Sequence, residues 1–206
     1  MDPRGLRLIV FDRTCRSARL PLSRAWRAGS WLYRGLGRVD LVLGAASWEE
    51  ALRWLAEARP TTAPIREVQI WSHGRWGRAL LESDALDEEA LLPGHRLHAG
   101  LQAVRERLRP SSLWWFRTCE TFGAVAGQRF ARALVEFFGC RVAGHTHVIG
   151  FWQSGLHSLG PGEEPGWSTS EGVVEGSAEE PQRAARSGPA APNTITCLHG
   201  GVPAGF

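Results

Sequence analysis

Two segments carry residue types that can do chemistry together. They are Ile70-Trp71-Ser72-His73-Gly74, and Leu113-Trp114-Trp115-Phe116-Arg117-Thr118-Cys119, whose cysteine stands 46 positions after the histidine. Each reads as an apolar strand that stops at a reactive side chain. A thiol attacks as thiolate, so a nucleophilic cysteine needs a base or cation beside it and backbone N–H groups for the oxyanion that develops. His73 offers the base. Gly74 has no side chain to shield its N–H and lets a substrate carbonyl come close. Cys119 precedes Thr121-Phe122-Gly123, a strand-to-helix turn, and the N–H groups at a helix N-terminus favour negative charge. Were the two strands neighbours in a parallel sheet, His73 and Cys119 would lie side by side at its carboxyl edge, where open α/β folds place their chemistry. That is the layout of a Cys-His hydrolase.

The remaining segments supply elements that could hold the pair so. Leu6 to Phe11 and Val39 to Leu43 are apolar strands joined by an Arg-rich and Trp-rich connection. Ser47 caps a helix, with Glu50 three residues on as in a capping box, and Pro60 stops it. Glu67 to Trp71 alternates as a third strand. A polar excursion from Arg75 to Pro93 reads as a short hairpin plus a turn of helix, and Leu97 to Leu108 as a helix closed by Pro110. Leu113 to Cys119 is the fourth strand, and its apolar run predicts a central strand buried on both faces next to the one ending at His73. Ala124 to Phe138 is a strongly periodic helix ended by Gly139. A fifth strand runs from Arg141 through Ile149. Residues 160–193 are rich in Gly, Pro, Ser and Glu and read as loop, followed by one late strand from Thr194 to Leu198. Strands alternating with helices of this length predict a single domain over 1–206, a three-layer α/β/α sandwich with a mostly parallel central sheet of about six strands.

Composition narrows the function classes. All 24 basic residues are Arg, the net charge is only +3, and the arginines are interspersed with acidic residues, so no nucleic-acid stripe is present. No apolar run reaches membrane-spanning length. The N-terminal stretch reads as lacking a secretory signal, and Cys15, Cys119, Cys140 and Cys197 are widely spaced with no CxxC pair. The expectation is therefore reduced thiols in a cytoplasm, with no membrane or nucleic-acid partner.

The strand ending Ser72-His73-Gly74 and the later strand ending in Cys119, with the histidine about 50 residues before the cysteine, resemble the caspase-like superfamily of cysteine peptidases. The similarity spans Leu6 to Ile149 in element order, as in a divergent member. It implies a caspase-like sheet, Cys119 as nucleophile, His73 as general acid and base, the amides of Gly74 and Cys119 as oxyanion hole, a protein or peptide substrate, and no cofactor. Where caspases carry Gln-Ala-Cys and metacaspases an Asp two residues before the Cys, this chain carries Arg117-Thr118-Cys119-Glu120-Thr121. The resemblance places the residue two before the cysteine in the pocket for the side chain preceding the cleaved bond. An arginine there, with its planar fork, implies cleavage after Asp or Glu. The other reading of Arg117 is an ion pair with Glu120, Glu163, Glu164 or Glu171.

Phe151-Trp152-Gln153-Ser154 follows the fifth strand with aromatic and small polar residues of the kind that line a specificity pocket, so Trp152 and Ser154 are taken as substrate-binding. No GxS pattern surrounds Ser154, which argues against a serine hydrolase elbow. Gly144-His145-Thr146-His147 looks like the closing motif of calcineurin-like metallophosphoesterases, and on a strand His145 and His147 would share a face. The other ligands of that family are absent. Cys197-Leu198-His199-Gly200 reads as a structural strand. Two alternatives therefore stand beside the peptidase: an inactive caspase-like binding module, and a metal-dependent hydrolase on His145 and His147.

Overall fold

The computed structural model describes residues 5–15 and 22–206; residues 16–21, part of the first connection, lie outside the described residues. The chain opens with β1 (Leu6–Asp12) and α1 (Leu22–Gly35), then β2 (Leu41–Ala45), α2 (Trp48–Glu57) and β3 (Ile65–Trp71). Beyond β3 a small sheet leaves the main one: β4 (His73–Arg75), β5 (Arg78–Leu81) and β6 (Asp84–Leu86). Next come α3 (His98–Arg105), β7 (Leu108–Arg117), α4 (Ala124–Phe138) and β8 (Arg141–His145). The last third holds β9 (Trp152–Gln153), β10 (Leu156–Leu159), the hairpin β11 (Val173–Gly176) and β12 (Pro181–Ala184), and β13 (Ile195–Thr196), which pairs with β9.

The main sheet has the order β2-β1-β3-β7-β8-β10. Every pairing is parallel except that of β10 with β8. This is the expected three-layer α/β/α sandwich. β7 lies between β3 and β8 with Trp71 opposite Arg117, so the strands leading to His73 and Cys119 are adjacent and point the same way. Trp114, Trp115 and Phe116 are fully buried, as a central parallel strand requires.

Alternation sends the two sides of β7 into different cores. Trp114 and Phe116 join Leu52 and Leu55 of α2, Leu101 and Val104 of α3, and Phe130 and Phe138 of α4. Leu113 and Trp115 face Leu156 and Ile195. On that second face α1 packs Tyr33 against Ile9 and Trp71. One outer layer is thus three helices; the other is one helix and the C-terminal segment.

Local signals account for the elements that were foreseen. Ser47 accepts a hydrogen bond from the Glu50 amide, as a capping box demands, and Gly139 ends α4 in the left-handed region at φ 63° with its N–H on the Val135 carbonyl. Helix α1 was not foreseen: its inward face, Leu22, Trp26, Gly29, Ser30 and Tyr33, is interrupted by small residues, while Trp31 and Leu32 face outward. The fifth strand ends earlier than predicted, at His145. The stretch 160–193 is poor in regular structure but is pinned: Trp167 is buried between Phe122 and His157, and His157 Nε2 meets Glu171 at 2.7 Å. Among the described residues no helix is long and apolar enough to cross a membrane, and all four cysteines are free.

Candidate active site

His73 sits where β3 has run out. Trp71 and Ser72 are still buried, and the chain then bends into β4, leaving His73 exposed at the carboxyl edge. Trp26 of α1 packs edge-on against its ring, centroids 5.6 Å apart. Its Nε2 lies 3.0 Å from the Sγ of Cys15. Thr14, the residue before that cysteine, is held by Asp12, the last residue of β1, whose buried carboxylate accepts the N–H of Thr14 at 2.7 Å and its hydroxyl at 2.6 Å. The thiol in contact with His73 is therefore Cys15, a residue outside the sequence-based site.

Cys119 follows β7 on a tight turn. Glu120 takes φ 36° and Ala124 φ 62°, both costly for residues with a side chain. The turn is held from several sides: the Glu120 N–H donates to the His147 carbonyl at 3.0 Å, the Phe122 N–H to that of His145 at 2.9 Å, and the Thr121 hydroxyl to that of Cys119 at 3.1 Å. Strain that is over-determined in this way fixes where the thiol sits. Burial pushes the thiol up to about 11; the Ile149 carbonyl, 3.9 Å from Sγ, works the other way, and the nearby Glu120 adds to the rise.

Gly74 has a steric reason for being glycine. A Cβ there would fall 2.3 Å from the Thr121 hydroxyl oxygen, 2.5 Å from the Cys119 carbonyl oxygen and 2.7 Å from Thr118 Cβ. The His73 strand and the Cys119 turn are pressed together at this residue. Both His73 and Cys119 line one cleft of about 380 Å³, walled by Trp26, Trp71 and Phe151.

Arg117 lies in the floor of that cleft, 4 % exposed. Its fork is spent on the protein itself. Nε and Nη2 donate to Gln153 Oε1 at 3.1 and 2.8 Å, Nη1 to Tyr33 Oη at 2.6 Å and to the His199 carbonyl at 3.1 Å, and Nη2 to the Cys197 carbonyl at 3.1 Å. The guanidinium also stacks over Trp115, 4.5 Å from its ring centre. Among the described residues no carboxylate pairs with it directly, so the ion pair with Glu120, Glu163, Glu164 or Glu171 is not formed. Burial holds its pKa below the ordinary value, with Tyr33 and Glu67 among the groups opposing that.

The other predicted binding residues stand apart from the cleft. Ser154 is fully buried, its hydroxyl donating to the Gly188 carbonyl and accepting from Thr194. Trp152 is 38 % exposed on β9, edge-on to Phe151, and it is Phe151 and Gln153 that line the cleft. The expectation that His145 and His147 share a strand face fails because the strand ends at His145. That ring is wholly buried, its Nδ1 bonded to the Ser154 carbonyl at 3.1 Å, and burial depresses its pKa to about 3. The His147 Nδ1 lies 2.9 Å from the Thr146 hydroxyl. Among the described residues no group of three or more His, Cys, Asp or Glu side chains is placed to hold a metal ion.

Cys15, Trp26, Gln153 and Tyr33 are the residues that sequence reasoning missed. The helical spacing of Leu22, Trp26 and Tyr33 could have pointed to two of them, and the pocket-like segment 151–154 to Gln153; nothing local points to Cys15. The arrangement is suited to thiol chemistry: one imidazole in contact with the Cys15 thiol, and a largely apolar cleft at a sheet edge that this imidazole lines together with Cys119 and Cys197.

The family described as "Domain of unknown function (DUF4347)" matches residues 32–157, more than half of the chain. Neither a curated protein nor a solved structure matches the chain.

Proposed function

We propose that this chain, which belongs to the DUF4347 family, is a cysteine endopeptidase of caspase-like type, with Cys119 as nucleophile and His73 as general acid and base. The observation that carries the reading is that both side chains line one cleft at the carboxyl ends of adjacent parallel strands. In the reaction the Cys119 sulfur bonds to the scissile carbonyl carbon while its proton passes to His73. The oxyanion is cradled by the amides of Gly74 and Cys119. His73 returns the proton to the leaving amine as the C–N bond breaks, and then draws a proton from the water that frees the acyl group. A thiol held near pKa 11 carries little thiolate at rest, so deprotonation accompanies attack instead of preceding it.

The 3.0 Å contact between Cys15 and His73 favours a second reading, in which Cys15 is the nucleophile. Cys119 is preferred because it and His73 fall inside the stretch shared with the family, and Cys15 falls outside it. The test is peptide hydrolysis by Cys119→Ala and Cys15→Ala proteins, with the site of electrophile labelling mapped on the wild type. Activity lost only with Cys119→Ala supports the proposal, and activity lost only with Cys15→Ala transfers the role. If neither thiol is labelled and no peptide is cut, the domain is an inactive binding module.

A further inference from the structure

We infer that the cleft beside Cys119 receives a bulky apolar side chain of the substrate, aromatic or long aliphatic, with Trp26, Trp71 and Phe151 as its walls and Arg117 and Gln153 as its floor. This rests on the peptidase reading and gives it a substrate class.

Charge is the first argument. The ionisable groups other than cysteine that line the cleft are His73 and Arg117. His73 faces Cys15, and the Arg117 donors are turned toward Gln153, Tyr33, Gln69 and the carbonyls of Cys197 and His199. A carboxylate entering here would shed its water without gaining a free donor fork, which is costly for an ion. A lysine or arginine entering would meet a buried cation that has no directly paired carboxylate among the described residues. Both signs are disfavoured by the same floor.

Apolar surface is the second. Phe151 is 56 % exposed although it sits at the mouth of a cleft, and Trp26 beside His73 is only partly covered. Large rings left open to water around a reactive thiol are surface that a ligand can cover. The third argument is space. Helix α1 approaches Trp71 at Gly29, where a Cβ would stand 2.9 Å from the indole ring. A larger residue there would force the Trp71 ring to move, so the glycine keeps that wall in place. The resulting volume, about 380 Å³, is at the small end of ligand pockets and suits one large side chain.

The experiment uses peptidyl acyloxymethyl ketones that differ only in the side chain entering the cleft: Phe, Leu, Asp and Arg. Labelling rates are read by intact mass, the adduct is mapped by peptide analysis, and iodoacetamide serves as the probe without a recognition element. The Phe and Leu probes should modify Cys119 at least about tenfold faster than the Asp and Arg probes, and Phe151→Ala should cut the Phe-to-Asp rate ratio about tenfold, the size expected for losing part of one apolar wall. A fastest Asp or Arg probe, or an unchanged ratio in Phe151→Ala, overturns the pocket while leaving the peptidase in place. If iodoacetamide labels Cys119 and no peptidyl probe does better, the peptidase reading falls and takes this inference with it. An adduct on Cys15 also overturns it, since the attacking sulfur would then be one that does not line the cleft.

Discussion

The alkylation of Cys119 as a function of pH tests the resting state of the site. Its thiol is pushed up to about 11 by burial. At pH 7 that leaves about one molecule in 10⁴ as thiolate, against roughly 3 % for an ordinary cysteine of pKa ~8.5. The population ratio is therefore about 300-fold. A more basic thiolate is also more nucleophilic, and a Brønsted coefficient of ~0.4–0.5 over ~2.5 pH units returns a factor of about 13. Iodoacetamide should thus modify Cys119 some 20-fold more slowly than free cysteine at pH 7, with the rate rising about tenfold per pH unit and levelling only near pH 11. His73→Ala should leave this rate within about threefold of wild type, because in the free protein the His73 Nε2 faces Cys15, while turnover falls by ~10²–10⁴. The assay is stopped-time alkylation between pH 6 and 11 with quantification of the Cys119 peptide. A plateau at or below pH 8, or a large loss of reactivity in His73→Ala, would mean that a thiolate–imidazolium pair already exists, and the reasoning from burial would be refuted.

Arg117→Met should destabilise the fold by about 3 kcal/mol in urea titrations, since the buried Gln153 Oε1 loses both guanidinium donors and the carbonyls of Cys197 and His199 keep only the Tyr33 hydroxyl, and limited proteolysis should then cut near residues 195–199; an intact, equally stable variant would contradict the stapling role. Gly74→Ala should cost about 2 kcal/mol and lower turnover further than the stability loss explains, because its methyl must displace the turn carrying Cys119; unchanged activity would remove that steric link. His145 is buried with a pKa near 3, so below about pH 6.5 the unfolded chain binds a proton that the folded chain refuses, and stability falls with acidification. Between pH 6.5 and 5 wild type should lose about 1.6 kcal/mol more than His145→Leu, measured by urea midpoints, and equal losses would show that this ring does not titrate on unfolding.

The central sheet was legible because its signal is local. Strands such as Leu113 to Phe116 announce themselves by an unbroken apolar run, and Gly139 and Ser47 mark helix ends by backbone chemistry alone. The adjacency of the His73 and Cys119 strands followed from strand-helix alternation. What stayed hidden depended on contacts distant in sequence. Cys15 reaches His73 only because Asp12 ties down the segment after β1, and Trp26 reaches it only because α1 lies across the second face. Ser154 looked like pocket lining by its neighbours in sequence, yet its hydroxyl is claimed by Gly188 and Thr194, more than thirty residues away.

At Arg117 the sequence shows the chemistry of the side chain but not which of the protein's own groups surround it. Alternation does turn it toward the Cys119 side of the strand, and its planar fork does bind oxygens. The oxygens are the protein's own. A guanidinium loses much on leaving water, and here three aromatic rings and a set of carbonyl and amide oxygens offset that loss. Because two of those oxygens are the carbonyls of Cys197 and His199, the C-terminal segment is fastened to the cleft floor by the same side chain that closes the cleft from below. The segment outside the family match at the C-terminal end is therefore part of what shapes the candidate site, and removing it would expose a buried cation directly beneath Cys119. Truncation before Ile195 should for that reason alter the cleft itself, raising the labelling rate of carboxylate-bearing probes relative to apolar ones, because the Arg117 donors now spent on the Cys197 and His199 carbonyls would be released while those on Gln153 and Tyr33 stay; an unchanged rate ratio would refute this.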